Sequence, residues 1–178
     1  MKIDYFPPMS DQLTHQENKF TQRAFEITVI CDHLESPANQ GALFRICEAF
    51  GVKEIIFFGN AIHINSSRLK RTARNTQTLV PFRSVMDVND VVNTFKEKHT
   101  PLIGLEITEG SQAIGELKFA NNKNVALFIG SEKNGISSSL LAQMDQVYHI
   151  PMYGTNSSMN VVQSAGIALY SITSLLAD

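Results

Sequence analysis

The chain has 178 residues, 43% of them hydrophobic, and a formal net charge of −2 at pH 7. This length and composition fit one compact domain with a sizeable core and exclude two full domains. No segment approaches the ~20 apolar residues of a membrane span, and the N-terminus lacks the apolar stretch of a signal peptide. We therefore expect a cytoplasmic protein, whose overall charge does not by itself indicate nucleic-acid binding.

The first half of the chain alternates between polar and apolar segments. Residues 1–24 form a polar, irregular N-terminal segment, within which residues 12–23 are compatible with a short surface helix. Ile27–Leu34 is predicted as a buried strand. Gln40–Phe50 is predicted as a helix, because its apolar residues recur at helical spacing. Glu54–Phe58 is predicted as a second buried strand.

The second half continues this alternation after an ambiguous segment that contains a basic helical turn near Ser67–Ala73. An amphipathic helix follows, with Val88, Val91, Val92 and Phe95 at 3.6-residue spacing. Later elements are buried strands at Leu102–Ile107, Val125–Ile129 and Val147–Ile150, and a long helix at Asn160–Leu176. Apolar strands alternating with amphipathic helices indicate an α/β domain over residues 25–178, with a mostly parallel sheet flanked by helices.

Three loops that follow predicted strands hold most of the unusually placed polar residues. They are residues 35–45, 130–135 and 151–160, and they use Gly or Pro where the backbone turns sharply. Ligands of open parallel sheets bind beyond the carboxyl ends of the strands, so these loops are where a site is expected. The chain contains no G-x-G-x-x-G sequence after a strand, no Walker A sequence and no G-x-S-x-G elbow.

The cysteines and histidines do not indicate a metal site. Cys31 and Cys47 lie in apolar contexts and form no C-x-x-C pair, which favours reduced core residues over a disulfide or metal ligands. The five histidines show no metal-ligand spacing. His149 lies in a predicted strand and is interpreted as a hydrogen-bonded residue of the core or its rim.

Taken singly, the polar residues of the three loops have ordinary structural explanations. Arg45 lies one position off the apolar stripe of its helix and fits a surface arginine whose stem lies along the helix. Asn39 and Asn160 stand where N-caps are expected. Glu132 fits a loop carboxylate that accepts hydrogen bonds from backbone N–H groups. A functional interpretation therefore depends on their combination.

Three patterns occur in order between residues 27 and 175. The first has Asn39, Gly41 and Arg45, followed by an aromatic–Gly pair at residues 50–51. The second is G-x-E-x-x-G-I-S, over residues 130–137. The third is I-P-M at residues 150–152, followed by S-M-N-V at 158–161 and a helix of small residues. Together they resemble the motifs of the SpoU branch of the SPOUT superfamily, whose members methylate RNA.

The resemblance implies a fold, an assembly and a cofactor. The fold would be a parallel α/β sheet with a C-terminal trefoil knot, although knots are otherwise almost absent from proteins. The assembly would be a homodimer with the active site across the interface. The cofactor would be S-adenosylmethionine, held mainly by backbone groups of three loops. The residues implied as cofactor-binding are Leu105, Glu106, Gly130, Ile150, Met152, Ser158 and Met159.

The resemblance also assigns catalytic roles. Arg45, supplied by the partner subunit, would activate the ribose 2′-hydroxyl that receives the methyl group. A guanidinium has a pKa above ~12, so orienting the hydroxyl and neutralising the adjacent phosphate is physically easier for it than accepting a proton. The residues that would fix Arg45 and the target ribose through hydrogen bonds are Asn39, Glu132, Ser158 and Asn160.

RNA is the implied substrate, because its 2′-hydroxyl distinguishes it from DNA. Five basic residues fall within sixteen positions that contain no acidic residue: Arg68, Lys70, Arg71, Arg74 and Arg83. This segment, and above all its first four members, is the candidate phosphate-contacting surface. An ordinary solvated helix face is the alternative.

The kind of RNA is inferred from segments that the chain is expected to lack. These are the extra N-terminal RNA-binding domain of many ribosomal-RNA members and the C-terminal extension of members that methylate D-loop guanosine. Minimal family members modify the wobble ribose of tRNA. We therefore favour tRNA over ribosomal RNA and leave the nucleotide position open.

Three other classes remain as alternatives. The first is a SPOUT-fold protein that binds RNA without catalysis, against which the complete set of polar motif residues argues. The second is a methyltransferase acting on a ring nitrogen of RNA, against which the S-M-N-V form of the third motif argues. The third is an unrelated nucleotide-binding domain, which the missing glycine-rich fingerprint disfavours.

Overall fold

The computed structural model describes residues 20–119, 123–156 and 158–177. The strands are β1 (Phe25–Asp32), β2 (Val52–Phe58), β3 (Phe82–Val85), β4 (Leu102–Leu105), β5 (Gln112–Ala113), β6 (Asn124–Ile129) and β7 (Gln146–His149). The helices are α1 (Pro37–Ala49), α2 (Ser67–Ala73), α3 (Asn89–Glu97), α4 (Ser138–Leu141) and α5 (Val161–Ala177). Short 3₁₀ turns lie at Thr76–Thr78 and Ile114–Glu116.

The seven strands form one sheet in the order β3-β2-β1-β6-β4-β7-β5, and every pair of neighbours is parallel. The predicted α/β class with a parallel sheet flanked by helices is therefore confirmed. All carboxyl ends of the strands lie at one edge, so the loops that follow β1, β4, β6 and β7 are brought together there. The trefoil knot is not defined by this strand order and stays a prediction.

Helices cover both faces of the sheet, which explains why the central strands are continuously apolar. One face packs Val29 and Cys31 of β1 against α1 and α5. The other packs Ile30 against residues of α3 and α4. The interior position predicted for the cysteines is confirmed: both thiols are free and buried, and burial raises the pKa of each.

Several element boundaries differ from prediction for local reasons. Helix α1 begins three residues earlier than expected, because Ser36 accepts a hydrogen bond from the backbone N–H of Asn39 and Pro37 occupies the first turn. Strand β4 ends at Leu105 instead of residue 107, since the N–H of Ile107 bonds to the Glu106 carboxylate. The sequence pattern missed β3 and β5, which are both short strands on the outer part of the sheet.

The predicted helix over residues 12–23 lies largely outside the described residues, and residues 20–23 have no regular secondary structure. The division of the chain at residue 24 stays a prediction. Arg23 nevertheless links this region to the far end of the chain, donating to the carbonyl oxygens of Leu176 and Ala177 at 2.8 and 2.9 Å. A cation at the end of α5 also complements the helix dipole. Within the described part of the chain, no helix is long and apolar enough to cross a membrane.

Helices α1 and α2 touch at Gly41, the glycine of the first motif. A Cβ atom placed there would lie 2.2 Å from Oγ1 of Thr72 and 2.3 Å from the carbonyl oxygen of Leu69. The second of these is a backbone atom of a buried helical turn, so it cannot move aside alone. Gly41 therefore permits the close approach that fixes the basic helix α2 on α1.

We predict that Gly41→Ala lowers the free energy of unfolding by about 1–3 kcal/mol, the usual cost of overpacking a filled interface. Urea unfolding followed by circular dichroism measures the change. Gly110→Ala is the matched control, because nothing lies within 4 Å of a Cβ at that position. Equal stability of the two variants would show that the close contact at Gly41 does not restrict how α2 packs on α1.

Candidate active site

A cavity of about 370 Å³ opens at the carboxyl ends of β4, β6 and β7. Its walls come from the three loops that follow these strands and from the start of α5. All seven residues predicted to hold a cofactor line it: Leu105, Glu106, Gly130, Ile150, Met152, Ser158 and Met159. The second and third sequence motifs are therefore brought to one place, at the edge of the sheet where parallel α/β folds bind ligands.

The loop after β6 is shaped by two glycines. Ser131 and Gly135 exchange backbone hydrogen bonds of 3.0 and 3.2 Å, which closes the loop into a tight turn. A Cβ on Gly130 would lie 2.0 Å from the carbonyl carbon of Gly135, and Gly135 itself has a φ of +64°. Only glycine fits both positions without strain.

The Glu106 carboxylate ties the β4 loop to the β6 loop. Its Oε2 accepts a hydrogen bond from the backbone N–H of Ile136 at 3.0 Å, and its Oε1 accepts one from the N–H of Ile107 at 2.9 Å. Glu106 therefore lines the cavity and also fixes two of its walls.

The Glu132 carboxylate connects the second motif to the first. Its oxygens accept hydrogen bonds from the backbone N–H groups of Glu35 and Ser36, at 3.2 and 3.1 Å, and from Nδ2 of Asn39 at 2.7 Å. Partial burial by itself would raise the pKa of Glu132, but these donors and the residue's own N–H outweigh it and lower the pKa. Glu132 is thus held as an anion by the N-terminal end of α1.

Asn160 adds the third motif to this network. Its Nδ2 donates to Oδ1 of Asn39 at 3.2 Å, while its Oδ1 accepts from the backbone N–H groups of Val162 and Gln163 at the start of α5. The N-cap interpretation of Asn160 is therefore confirmed. For Asn39 the cap is Ser36 instead, and the Asn39 side chain joins Glu132 to Asn160.

Sequence reasoning missed Asp32, the last residue of β1. Its side chain is 1% exposed, and its Oδ2 accepts from the backbone N–H of Ser137 at 2.7 Å. Its Oδ1 lies 2.6 Å from Nδ1 of His33. An acidic residue directly after three apolar positions of a predicted buried strand was the available signal, because a buried carboxylate must find donors.

Arg45 lies apart from the cavity. It is exposed on α1 and is not among the residues that line the cavity. Among the described residues it has no hydrogen-bond or ion-pair partner. Ser158 lines the cavity with its side chain exposed.

The four predicted RNA-contacting residues all have exposed side chains on α2 and its C-terminal end: Arg68, Lys70, Arg71 and Arg74. None of the four has a side-chain partner among the described residues. Arg83 differs, because its Nε donates to Oε1 of Glu54 at 3.0 Å. Arg74 adopts φ +50°, which is unusual for a residue with a side chain, and directs the chain out of α2.

His149 confirms its interpretation as a hydrogen-bonded rim residue and also lines the cavity. The Ser111 hydroxyl donates to the carbonyl oxygen of Thr108 at 2.7 Å, and it lies 2.9 Å from Nδ1 of His149.

A second cavity, of about 450 Å³, lies at the opposite edge of the sheet, near the amino ends of β4 and β7. Its lining includes Lys96, Lys118 and Phe119. No residue of the three motifs borders it, so the site is assigned to the cavity at the carboxyl ends. No group of three or more His, Cys, Asp or Glu side chains in the described residues could hold a metal ion.

The chain belongs to the SpoU rRNA Methylase family, whose model matches residues 26–170. A relative from Borreliella burgdorferi, named an uncharacterized tRNA/rRNA methyltransferase, is 28% identical over 86% of this chain and 66% of its own length. A tRNA (guanosine(18)-2'-O)-methyltransferase from Thermus thermophilus is 26% identical over 86% of this chain and 77% of its own length.

Solved structures have the same fold. The SpoU methyltransferase AviRb from Streptomyces viridochromogenes, in complex with the cofactor AdoMet, superposes with a TM-score of 0.75 at 24% identity, covering 86% of this chain and 59% of that one. A solved structure described as giving structural insights into the 2-OH methylation of C/U34 on tRNA superposes with a TM-score of 0.76 at 21% identity. The match covers 86% of this chain and 97% of that one.

We predict that Glu132→Gln lowers stability at neutral pH and that the loss disappears in acid. Because the pKa of Glu132 is lower in the folded state, its charged carboxylate stabilises the fold. This contribution is fully present above the ordinary pKa of 4.5. This contribution is lost as the pH falls through the lowered value, where the wild-type side chain is also neutral. Urea unfolding from pH 7 to pH 3 measures the difference between the two proteins.

The matched control is Glu109→Gln, which removes an exposed carboxylate without a hydrogen-bond partner among the described residues. It should leave stability unchanged at each pH. A constant difference between wild type and Glu132→Gln across this range would show that the effect is not due to the charge.

Proposed function

We propose that this protein is an enzyme that transfers a methyl group from S-adenosylmethionine to a ribose 2′-hydroxyl of RNA, most favourably tRNA. The observation that carries the proposal is the hydrogen-bonded chain Glu132–Asn39–Asn160, which joins all three motif loops beside one cavity. The bond between the Asn160 and Asn39 amides caps neither helix, unlike the other bonds of these two motifs. A catalytic centre built from the three loops requires such a connection.

The cavity fits the cofactor in size and in chemistry. Its volume falls at the lower end of the ~300–1,000 Å³ typical of small-molecule sites. Apolar side chains of Leu105, Ile150 and Met152 line it, and Gly130 and Gly135 add backbone to its wall without side chains of their own. S-adenosylmethionine, when bound, supplies an electrophilic methyl group on a sulfonium. The loops would then exclude water and set the direction of approach.

Arg45 is proposed to orient the target ribose. Its guanidinium stays protonated, so it would donate hydrogen bonds to the ribose oxygen and to the neighbouring phosphate. Holding the hydroxyl in line with the methyl group accounts for much of the acceleration that an enzyme can provide for such a transfer. Glu132 and Asn160 would position the ribose through Asn39.

A homodimer would bring Arg45 to the cavity. The 17 residues of α5 include no charged side chain, yet Ile167, Tyr170 and Leu175 are exposed on this helix. An uncharged helix with exposed large apolar side chains is typical of a surface that another protein covers. Helix α1, which carries Arg45, packs beside α5. We therefore propose that α1 and α5 form the dimer interface and that Arg45 acts in the partner's site.

The proposed substrate is tRNA, with ribosomal RNA as the second candidate. The Thermus relative is named for tRNA, and the C/U34 protein is nearly the same length as the matched region. The unpaired cations of α2 suit a phosphate backbone, since helix α2 has no acidic residue. Free, buried cysteines are typical of a protein of the reducing cytoplasm, where tRNA would be available to it.

The test is transfer of labelled methyl groups into total tRNA and, separately, into ribosomal RNA, with digestion of the product to nucleosides. A 2′-O-methylated nucleoside from tRNA is expected. We predict that Arg45→Ala lowers the rate at least about 100-fold, the loss typical of removing one transition-state donor. Cofactor affinity and stability should not change. Normal turnover by this variant, or a base-methylated product, would overturn the mechanism.

Mixing variants tests whether Arg45 acts across the dimer. Ile107→Trp should fill the cavity, since Ile107 is an exposed residue of its lining. When the Ile107→Trp chain is refolded together with the Arg45→Ala chain, about a quarter of wild-type activity should return. Half of the randomly formed dimers would contain one chain of each kind, and each of these dimers would have one intact site of two. No recovery would indicate that Arg45 serves the site of its own chain.

We predict that neutralising Arg71 and Arg74 to Gln weakens tRNA binding and reduces its salt dependence. Each lost phosphate contact lowers the slope of log K against log salt by about 0.7–0.9. Filter binding between 50 and 200 mM salt measures both quantities. Arg83→Gln is the matched control, because Arg83 is already paired with Glu54. Parallel slopes for wild type and the double variant would exclude α2 as the phosphate-contacting surface.

A further inference from the structure

The third-motif loop exposes one aromatic side chain completely. Tyr153 is 98% exposed and has no hydrogen-bond or ring partner among the described residues. The other tyrosines of the described region differ: Tyr148 is buried, and Tyr170 lies on the proposed dimer face of α5. Burying an aromatic ring is strongly favourable, so a fully solvated ring in a short loop is unexplained by the fold of this protomer.

Tyr153 does not itself line the cavity, but residues on both sides of it in the loop do. Met152, the preceding residue, lines the cavity, and so do Ser158 and Met159 at the other end of the loop. Both ends of the loop are fixed: strand β7 leads into Pro151, and Asn160 is bonded to Asn39. Between them, a Cβ on Gly154 would meet nothing within 4 Å, so the residue after Tyr153 borders open space.

The surroundings of Tyr153 suit a nucleobase. No charged residue occurs between Pro151 and Asn160, so the loop offers an uncharged aromatic face. Lys133, in the neighbouring loop, is exposed, lines the same cavity and has no side-chain partner among the described residues. An exposed aromatic face on one loop and a free ammonium group on another loop of the same cavity match the base and the phosphate of a nucleotide.

We infer that Tyr153 stacks on a base of the bound RNA beside the target ribose, and so acts as a substrate-positioning residue of the enzyme. The inference rests on the proposed function and goes further, because it states which side chain holds the base near the reacting sugar. Stacking needs the ring and not the hydroxyl. Phenylalanine at position 153 should therefore support RNA binding as well as tyrosine does. Leucine, which is apolar but has no flat π-face, should not.

The experiment measures filter binding of unfractionated tRNA to the full chain, together with KM and kcat for methyl transfer. Tyr153→Ala and Tyr153→Leu should weaken binding and raise KM by about 5- to 100-fold, the range for one lost base–aromatic stack. Tyr153→Phe should equal the wild type. Met86→Ala, which removes another highly exposed apolar side chain, is the control expected to bind normally.

The outcomes separate this inference from the proposed function. If the wild type methylates tRNA but Tyr153→Ala binds it equally well, the inference alone is overturned. If the wild type neither binds nor methylates tRNA or ribosomal RNA, both fail together. A shift of Tyr153→Ala toward monomers in sedimentation, or a weaker cofactor affinity, would show that the ring covers the partner subunit or the cofactor, and would also overturn the inference.

Discussion

The arrangement of the site depends on one carboxylate that is kept charged. Glu132 lies after β6, yet it accepts hydrogen bonds from the backbone N–H groups of Glu35 and Ser36, the two residues before α1, and from the side chain of Asn39. The N-terminal end of a helix also carries a positive dipole that favours an anion. Because Glu132 supplies the acceptor from another loop, the folding of α1 and the geometry of the second motif are determined together.

Two further carboxylates also accept hydrogen bonds from backbone N–H groups of the loop after β6. Glu106 accepts from the N–H of Ile136, and Asp32 accepts from the N–H of the next residue, Ser137. Three acidic side chains from three different strand ends thus hold loop backbone instead of binding cations. A chain of net charge −2 can still present a cationic surface, because no acidic residue occurs between Arg68 and Arg83.

The sequence was informative where local pattern and motif agree. Periodicity predicted the strands around Val29 and Phe128 and the helix that carries Arg45, because burial on both faces leaves a continuous apolar signal. It missed β3 and β5, because each strand is too short to show a periodic pattern of apolar residues. It also missed Asp32, since the donor for this carboxylate comes from a residue 105 positions away. Long-range hydrogen bonds of this kind have no local signature, so the motifs indicated which residues meet but not what joins them.

Helix α1 is the element through which the remaining parts act on each other. Its N-terminal end is bonded to Glu132, its Gly41 is in close contact with α2, and Arg45 lies one turn further along. A rigid helix fixes the spacing of residues along its length. The distance between the proposed phosphate-contacting surface on α2, Arg45 and the motif network is therefore set by one helix. Gly41 is then as important to the site as the polar residues beside it, because a larger side chain would displace α2 relative to Arg45.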